Sequence, residues 1–256
     1  MTAVADRPKM LTFQPMVDSE TTRLVCRYYG LDFEEHDHLF GWVSLLTLFH
    51  GGRGFIPLVY GQGFALTGPG AVAGHFDPTL PPERRLFPHD QPLADEVAAD
   101  WKTYNGGMGH DVAVFAYFHL LPERALMAPI FAAPIPPLEA KLVPAVYGML
   151  SSAFTRLLKL SPENAAQAAD RMRATFDATD RRIADGRRYL CGDRLTIGDI
   201  ALCAASAPLL LPRGYGALMP PLEALPPTAS AFAEELRAHP TCAFVQRLYD
   251  SGFTGG

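Results

Sequence analysis

The sequence predicts a mixed α/β half followed by an all-helical half. Three observations carry this reading. Short apolar or alternating runs, bounded by Gly, Pro or Asp, are confined to the first 80 or so residues. A proline-rich stretch from Asp77 to Pro92 then interrupts the periodicity. Beyond it, apolar residues recur only at the three-and-four spacing of helices. The expected organisation is a first domain over residues 1–80, a linker over 81–98 and a helical domain over 99–256.

Met10 to Phe13 is a short apolar run and reads as the first strand. Ser19 suits a helix N-cap, because its oxygen can accept from first-turn amides, and Glu20 suits the positive end of a helix. Leu24, Val25, Tyr28 and Tyr29 recur at helical spacing, and Gly30 stops the helix. Leu31 to His36 alternates as a second strand. Leu39 to His50 reads as a second helix, apolar on all sides and therefore expected to be buried. Phe55 to Tyr60 and Phe64 to Leu66, joined by Gly61-Gln62-Gly63, form a hairpin. Pro69 opens a helix running to about Phe76. The order is β-α-β-α-β-β-α. Further helices are expected over Leu93–Thr103, Asp111–His119, Pro137–Leu158, Pro162–Ala184, Ile197–Leu211 and Ala229–Tyr249, with loops elsewhere.

Composition narrows the functional classes. The 256 residues are 48% hydrophobic, enough for one large core or two smaller ones. The formal net charge is -5 and no basic stripe stands out, which argues against a nucleic-acid partner. No apolar run reaches the roughly 20 residues of a membrane span. Ile200 to Pro212 comes nearest, and Ser206 and Pro208 interrupt it. Met1 to Lys9 has no apolar stretch behind a basic start, so it does not read as an export signal, and a cytoplasmic location is expected. The four cysteines, Cys26, Cys191, Cys203 and Cys242, form no Cys-x-x-Cys pair and no zinc-ligand spacing. Two disulfides are the alternative to free thiols; Cys26 and Cys203 sit in apolar helical patterns and read as small core residues.

One stretch is more specific. Arg188-Tyr189-Leu190-Cys191-Gly192-Asp193-Arg194-Leu195-Thr196-Ile197-Gly198-Asp199-Ile200 resembles the helical-domain signature of the glutathione transferase superfamily. Thr196 can cap a helix there, and Asp199 can return a bond to the cap's backbone amide. Ile56-Pro57-Leu58-Val59 resembles the family's element with a cis proline, and Ser19 to Gly30 resembles its first helix. The stretch from Glu235 to Tyr249 is similar to the ending of some bacterial members. The resemblance implies a thioredoxin-like first domain, an all-α second domain, glutathione as a co-substrate and a homodimer.

It also directs attention to positions where this chain departs from the family. In the family, a hydroxyl or a reactive cysteine near the first strand and helix lowers the pKa of the glutathione thiol. Registered on Gly30, those positions hold Met16, Thr12, Phe13 and Asp18. Met16 cannot donate a hydrogen bond, and Asp18 would repel a thiolate. Ser19 remains, as a cap or as a cap that also contacts the ligand, and is the candidate catalytic residue. Gly68 and Pro69 stand where the family has an acidic residue and a serine for the γ-glutamyl end. Losing several charge-assisted bonds, at about 1.5–3 kcal/mol each, would weaken glutathione binding by orders of magnitude. The candidate thiol-binding residues are Arg53, Ile56, Pro57, Gly68 and Pro69. Arg53 could hold a carboxylate, and the Ile56 backbone could pair with an extended peptide.

Tyr104-Asn105-Gly106-Gly107-Met108-Gly109-His110 lacks the strand that precedes a phosphate loop. By position it borders the interdomain cleft, so Met16, Tyr104 and His110 are candidate substrate-pocket residues, the latter two as acid or base groups. Trp101, Phe115 and Tyr117 could line an apolar pocket or pack the core. His36-Asp37-His38 shows no third ligand, so no metal is expected. The leading expectation is an enzyme joining glutathione or another thiol to a hydrophobic electrophile, by conjugation, elimination or isomerisation. The alternatives are a thiol-independent enzyme on the same scaffold and a non-catalytic binding or scaffold protein.

Overall fold

The computed structural model describes residues 7–253. Residues 1–6, on which much of the export-signal reading rests, lie outside the described residues. The first half contains β1 (Lys9–Thr12), α1 (Val17–Tyr28), β2 (Glu34–Asp37), α2 (Trp42–Phe49), β3 (Leu58–Gly61), β4 (Phe64–Thr67) and α3 (Pro69–Phe76). Its sheet runs β2-β1-β3-β4. β1 pairs in parallel with β2 and antiparallel with β3, and β3 pairs antiparallel with β4. This is the thioredoxin-like arrangement that the sequence order implies.

Alternation along β1 explains how the halves share a core. Met10 enters a cluster with Leu24, Val25, Val59 and Val72, which α1 and α3 cover. Its neighbour Leu11 points to the opposite face, with Phe13, Leu58 and Val43. That second cluster continues into Phe131, Tyr147 and Phe154 of the helical half. Both sheet faces are therefore dry at β1, and one of them is sealed by the second domain.

The helical half holds α4 (Leu93–Trp101), a π-helical segment (Lys102–Met108), α5 (Gly109–Leu120), α6 (Arg124–Ala132), α7 (Pro137–Ala140), α8 (Val143–Leu157), α9 (Pro162–Ile183), α10 (Ile197–Leu210), α11 (Pro227–Arg237) and α12 (Pro240–Asp250). Ser161 caps α9 by accepting from the Asn164 amide at 3.1 Å. α10 is the buried centre: thirteen of its fourteen residues are buried. Asp199 accepts from the Thr196 amide at 2.9 Å and from the Leu190 amide at 2.7 Å, tying the signature loop to the helix it starts. All four cysteines are free, and Cys26 and Cys203 are buried.

Several expectations need correction. α1 begins two residues before Ser19, with Met16 at the extended N-cap position and no side-chain cap. α2 is not buried: only Val43 and Thr47 are, while Trp42, Leu45, Leu48 and Phe49 are exposed. Its uniform apolarity lies partly on an outward face. The Gly-rich stretch between α4 and α5 is no loop but π-helical backbone continuous with both helices. α6 falls in a stretch expected to be loop. Pro144 and Pro240 each open a new helix by supplying a first-turn residue that needs no amide donor, so two expected helices are each divided in two. α4 begins at Leu93, as the helical spacing predicts.

Candidate functional site

Gln14 and Pro15 carry the chain from β1 to the start of α1, where Met16 takes an extended conformation and Val17 enters the helix. Pro15, Met16, Val17 and Asp18 form one wall of a cavity of about 370 Å³. The opposite wall comes from the helical half. Asn105 and Gly106 of the π-helical segment contribute, followed by Gly109, His110, Ala113 and Ala116 of α5. Tyr117, Met127, Phe154 and Leu157 add apolar surface, and Phe40 closes the side near α2. The cavity thus lies between the domains, and its size and apolar walls suit a small hydrophobic molecule.

The π-helical backbone matters for this geometry. Its i→i+5 bonds widen the turn, and Asn105, Gly106, Gly109 and His110 all reach the same cavity wall. At Gly109 a Cβ would lie 3.3 Å from Val17 Cγ1, so glycine permits close approach of α5 to the start of α1.

Polar groups are few. The Tyr117 hydroxyl donates to the Pro15 carbonyl at 3.1 Å and is occupied there. The Asn105 side chain lies beside the Asp18 carboxyl. Burial raises the Asp18 pKa above the ordinary aspartate value, an effect Asn105 only partly offsets. Asn105 Oδ1 is buried without a partner. His110 is exposed at the wall.

The sequence-derived site residues separate into groups. Met16 and His110 line the cavity. Tyr104 does not: it is buried, with its hydroxyl 3.0 Å from Thr179 Oγ1, and burial raises its pKa. Ser19 has no exposed surface; its hydroxyl is shared with Thr12 and donates to the Phe13 carbonyl at 3.4 Å. It fastens α1 to the end of β1 instead of capping the helix. Ile56-Pro57 is a cis peptide, and the Gly68 amide donates to the Pro57 carbonyl at 2.9 Å. The β3–β4 pair therefore sets Ile56-Pro57 beside Gly68-Pro69. Gly68 has φ of 79°, a left-handed conformation that disfavours any side chain there. Arg53 is exposed. None of these five residues lines the apolar cavity.

Of the aromatic alternatives, Tyr117 lines the cavity, while Phe115 packs on Phe232 and Trp101 on Phe87. His36 lies near Glu34, and His38 Nδ1 lies 2.7 Å from Glu139. Asp177, Asp180 and His239 come close together elsewhere, but Asp180 serves the start of α12, accepting from the Thr241 amide at 2.8 Å and pairing with His239. Asp18 and Asn105 are the residues that sequence reasoning did not bring together.

A mixed four-stranded sheet, an all-helical second half and an apolar cleft at the start of α1 define a two-domain scaffold with a thioredoxin-like first half. The chain has the fold of the glutathione S-transferase superfamily, and residues 162–205 match the model for the glutathione S-transferase C-terminal domain. The structure resembles a glutathione S-transferase from Sinorhizobium meliloti 1021 at TM-score 0.54 and 19% identity, covering 94% of this chain and 92% of that one. It resembles the β-etherase LigF from Sphingobium sp. strain SYK-6 at TM-score 0.56 and 17% identity, covering 94% and 99%. A glutathione S-transferase of Ceriporiopsis subvermispora, solved in complex with glutathione, gives TM-score 0.54 and 12% identity over 96% and 98%. No curated protein matches the chain.

Proposed function

We propose that this protein is a glutathione transferase-like enzyme that binds a hydrophobic, electrophilic small molecule in the interdomain cavity and acts on it with glutathione or another thiol. The apolar cavity against the uncapped start of α1 carries this reading. First-turn amides at such a position favour a thiolate through their free donors and the helix dipole. The cis Ile56-Pro57 peptide, beside Gly68, supports a groove that takes the thiol's peptide-like part. Arg53, exposed in the preceding loop, is the candidate for its carboxylate. Conjugation, elimination and isomerisation all share this thiolate requirement. Titration calorimetry with glutathione and with cysteine and 2-mercaptoethanol tests the reading: binding of any of them at millimolar concentration supports it, and binding of none rejects it.

A second reading has its own observation. The α1 wall of the cavity offers no hydroxyl or thiol side chain, and Ser19 is sealed beneath it. A thiol-independent enzyme, or a binding protein on the same scaffold, fits that wall. Turnover that persists after glutathione and other thiols are removed favours the enzyme version.

The cytoplasm is the proposed location. Among the described residues no helix is long and apolar enough to cross a membrane. A homodimer is proposed as well, with the exposed Trp42, Leu45, Leu48 and Phe49 of α2 and nearby Phe55 as support. Sedimentation at micromolar concentration should show a species of twice the chain mass.

A further inference from the structure

The cavity is apolar over most of its wall, yet one corner is chemically distinct. Asp18 comes from the first turn of α1 and Asn105 from the π-helical segment, and both line the cavity. The Asn105 side chain lies beside the Asp18 carboxyl, and its Oδ1 is buried without a hydrogen-bond partner. A carboxylate takes hydrogen bonds only as an acceptor. The corner therefore offers acceptors and needs donors. It also needs positive charge: no cation contributes to the Asp18 environment among the described residues, and no Lys or Arg lines the cavity. The other titratable side chains on the wall are His110, which is exposed, and Tyr117, whose hydroxyl is engaged by Pro15. A buried carboxylate without a cation, beside a buried acceptor without a donor, is costly in an empty site and is relieved by a ligand bringing both.

Resting on the reading of this cavity as the substrate site, we propose that the Asp18–Asn105 corner binds the primary ammonium group of an otherwise apolar ligand. One N–H donates to the Asp18 carboxylate and another to Asn105 Oδ1. The body of the ligand lies against Ala113, Ala116, Tyr117 and Phe154. An alcohol supplies one donor and no charge, and a carboxylic acid brings like charge to Asp18. The class selected is thus an arylalkyl or alkyl primary amine. The raised Asp18 pKa agrees, since burial with no cation nearby disfavours the charged form that an ammonium would stabilise.

The test compares 4-phenylbutylamine, 4-phenylbutanol and 4-phenylbutyrate by titration calorimetry on the full chain. The expected result is amine binding about tenfold or more tighter than the alcohol, consistent with a charge-assisted pair, and the acid weakest. Asp18→Asn should bring amine and alcohol within about threefold, with the alcohol's affinity unchanged. Asn105→Ala should weaken the amine selectively and serves as a second variant should Asp18→Asn not fold. Amine affinity should fall as pH is lowered and Asp18 takes up its proton. Equal affinities for amine and alcohol, or an amine preference that survives Asp18→Asn and Asn105→Ala, overturn the proposal. If none of the three compounds binds, the cavity reading fails with it. If the amine is preferred but none of the thiols binds, only the thiol part of the proposed function fails.

Discussion

The Tyr249 hydroxyl donates to Glu20 Oε1 at 2.9 Å, joining the last helix of the chain to the first. Glu20 has no exposed surface and also accepts from Arg23 Nη1 at 2.8 Å and from the Gly216 amide at 3.2 Å. Arg23 in turn binds Glu35 at the edge of the sheet. Gly216 has no room for a side chain, since a Cβ there would lie 2.7 Å from Arg23 Cδ. Removing the charge should be far worse than removing the hydroxyl. Tyr249→Phe should cost about 1.5–3 kcal/mol, the scale of a hydrogen bond to a charged group. Glu20→Ala should cost about 3–5 kcal/mol because it leaves Arg23 buried with one partner fewer. Urea unfolding measures both, and equal losses would contradict this picture.

Asp37 supplies a pH test. Burial first, and Glu35 second, raise its pKa from 3.8 to about 6, against the Gln14 bond that opposes the change. The folded chain therefore holds this proton more tightly than the unfolded chain does. The stability so contributed is present below the unfolded value near 3.8 and is lost as pH rises through about 6. Asp37→Asn keeps a Gln14 partner and removes the titration. Between pH 4 and pH 7.5 it should gain up to about 2–3 kcal/mol relative to the unaltered chain, at roughly 1.4 kcal/mol for each tenfold difference in proton affinity. Denaturant curves at the two pH values check this; a constant difference counts against it.

Ala116 lies on the cavity wall without being fully buried. Ala116→Phe should fill much of the space that an apolar ligand takes. Ligand affinity should drop about tenfold or more, the scale of losing one buried aromatic-sized contact, while the melting temperature changes little. Glutathione binding beside Ile56-Pro57 should survive, because none of the candidate thiol-binding residues lines this cavity. Parallel titrations with 4-phenylbutanol and glutathione separate the two effects.

Ser19→Ala discriminates fastening from chemistry. The hydroxyl sits between Thr12 and the Phe13 carbonyl, so its loss should destabilise the chain by about 1–3 kcal/mol through the buried partners left behind. Binding of the apolar ligand should be unchanged. Thermal melts and calorimetry are the readouts, and a loss of thiol reactivity without loss of stability would restore Ser19 as a catalytic group.

The fold was readable where local rules and global packing agree. Thr196 and Asp199 show their reciprocal relation within four residues, and the buried run after them needs no knowledge of a partner. The hairpin around Gly61-Gln62-Gly63 is equally local. Ser19 misled because a good capping residue three positions into a helix looks the same in sequence as one at its start. Trp42, Leu45 and Leu48 misled because apolarity on every face reports how hydrophobic a helix is, not what covers it. Met16, reached by registering the chain on Gly30, and His110, reached from the place of the Gly-rich segment, both line the cavity, whereas Tyr104 does not. The Asp18–Asn105 contact depends on how two domains meet, and neither residue carries a motif that announces the other.

The π-helical segment has a consequence for how this cavity could change. Successive residues of an α-helix advance about 100°, so five of them overshoot a full circle by about 140°. In π-helical backbone, at about 4.4 residues per turn, the same five overshoot by only about 50°. Asn105 and His110 face one cavity because the local pitch is slack by that amount. A change of this segment from π- to α-helical bonding, with no residue lost, would swing one of them by about 90° relative to the other. The polarity of the cavity would then be rewritten without any substitution in its wall.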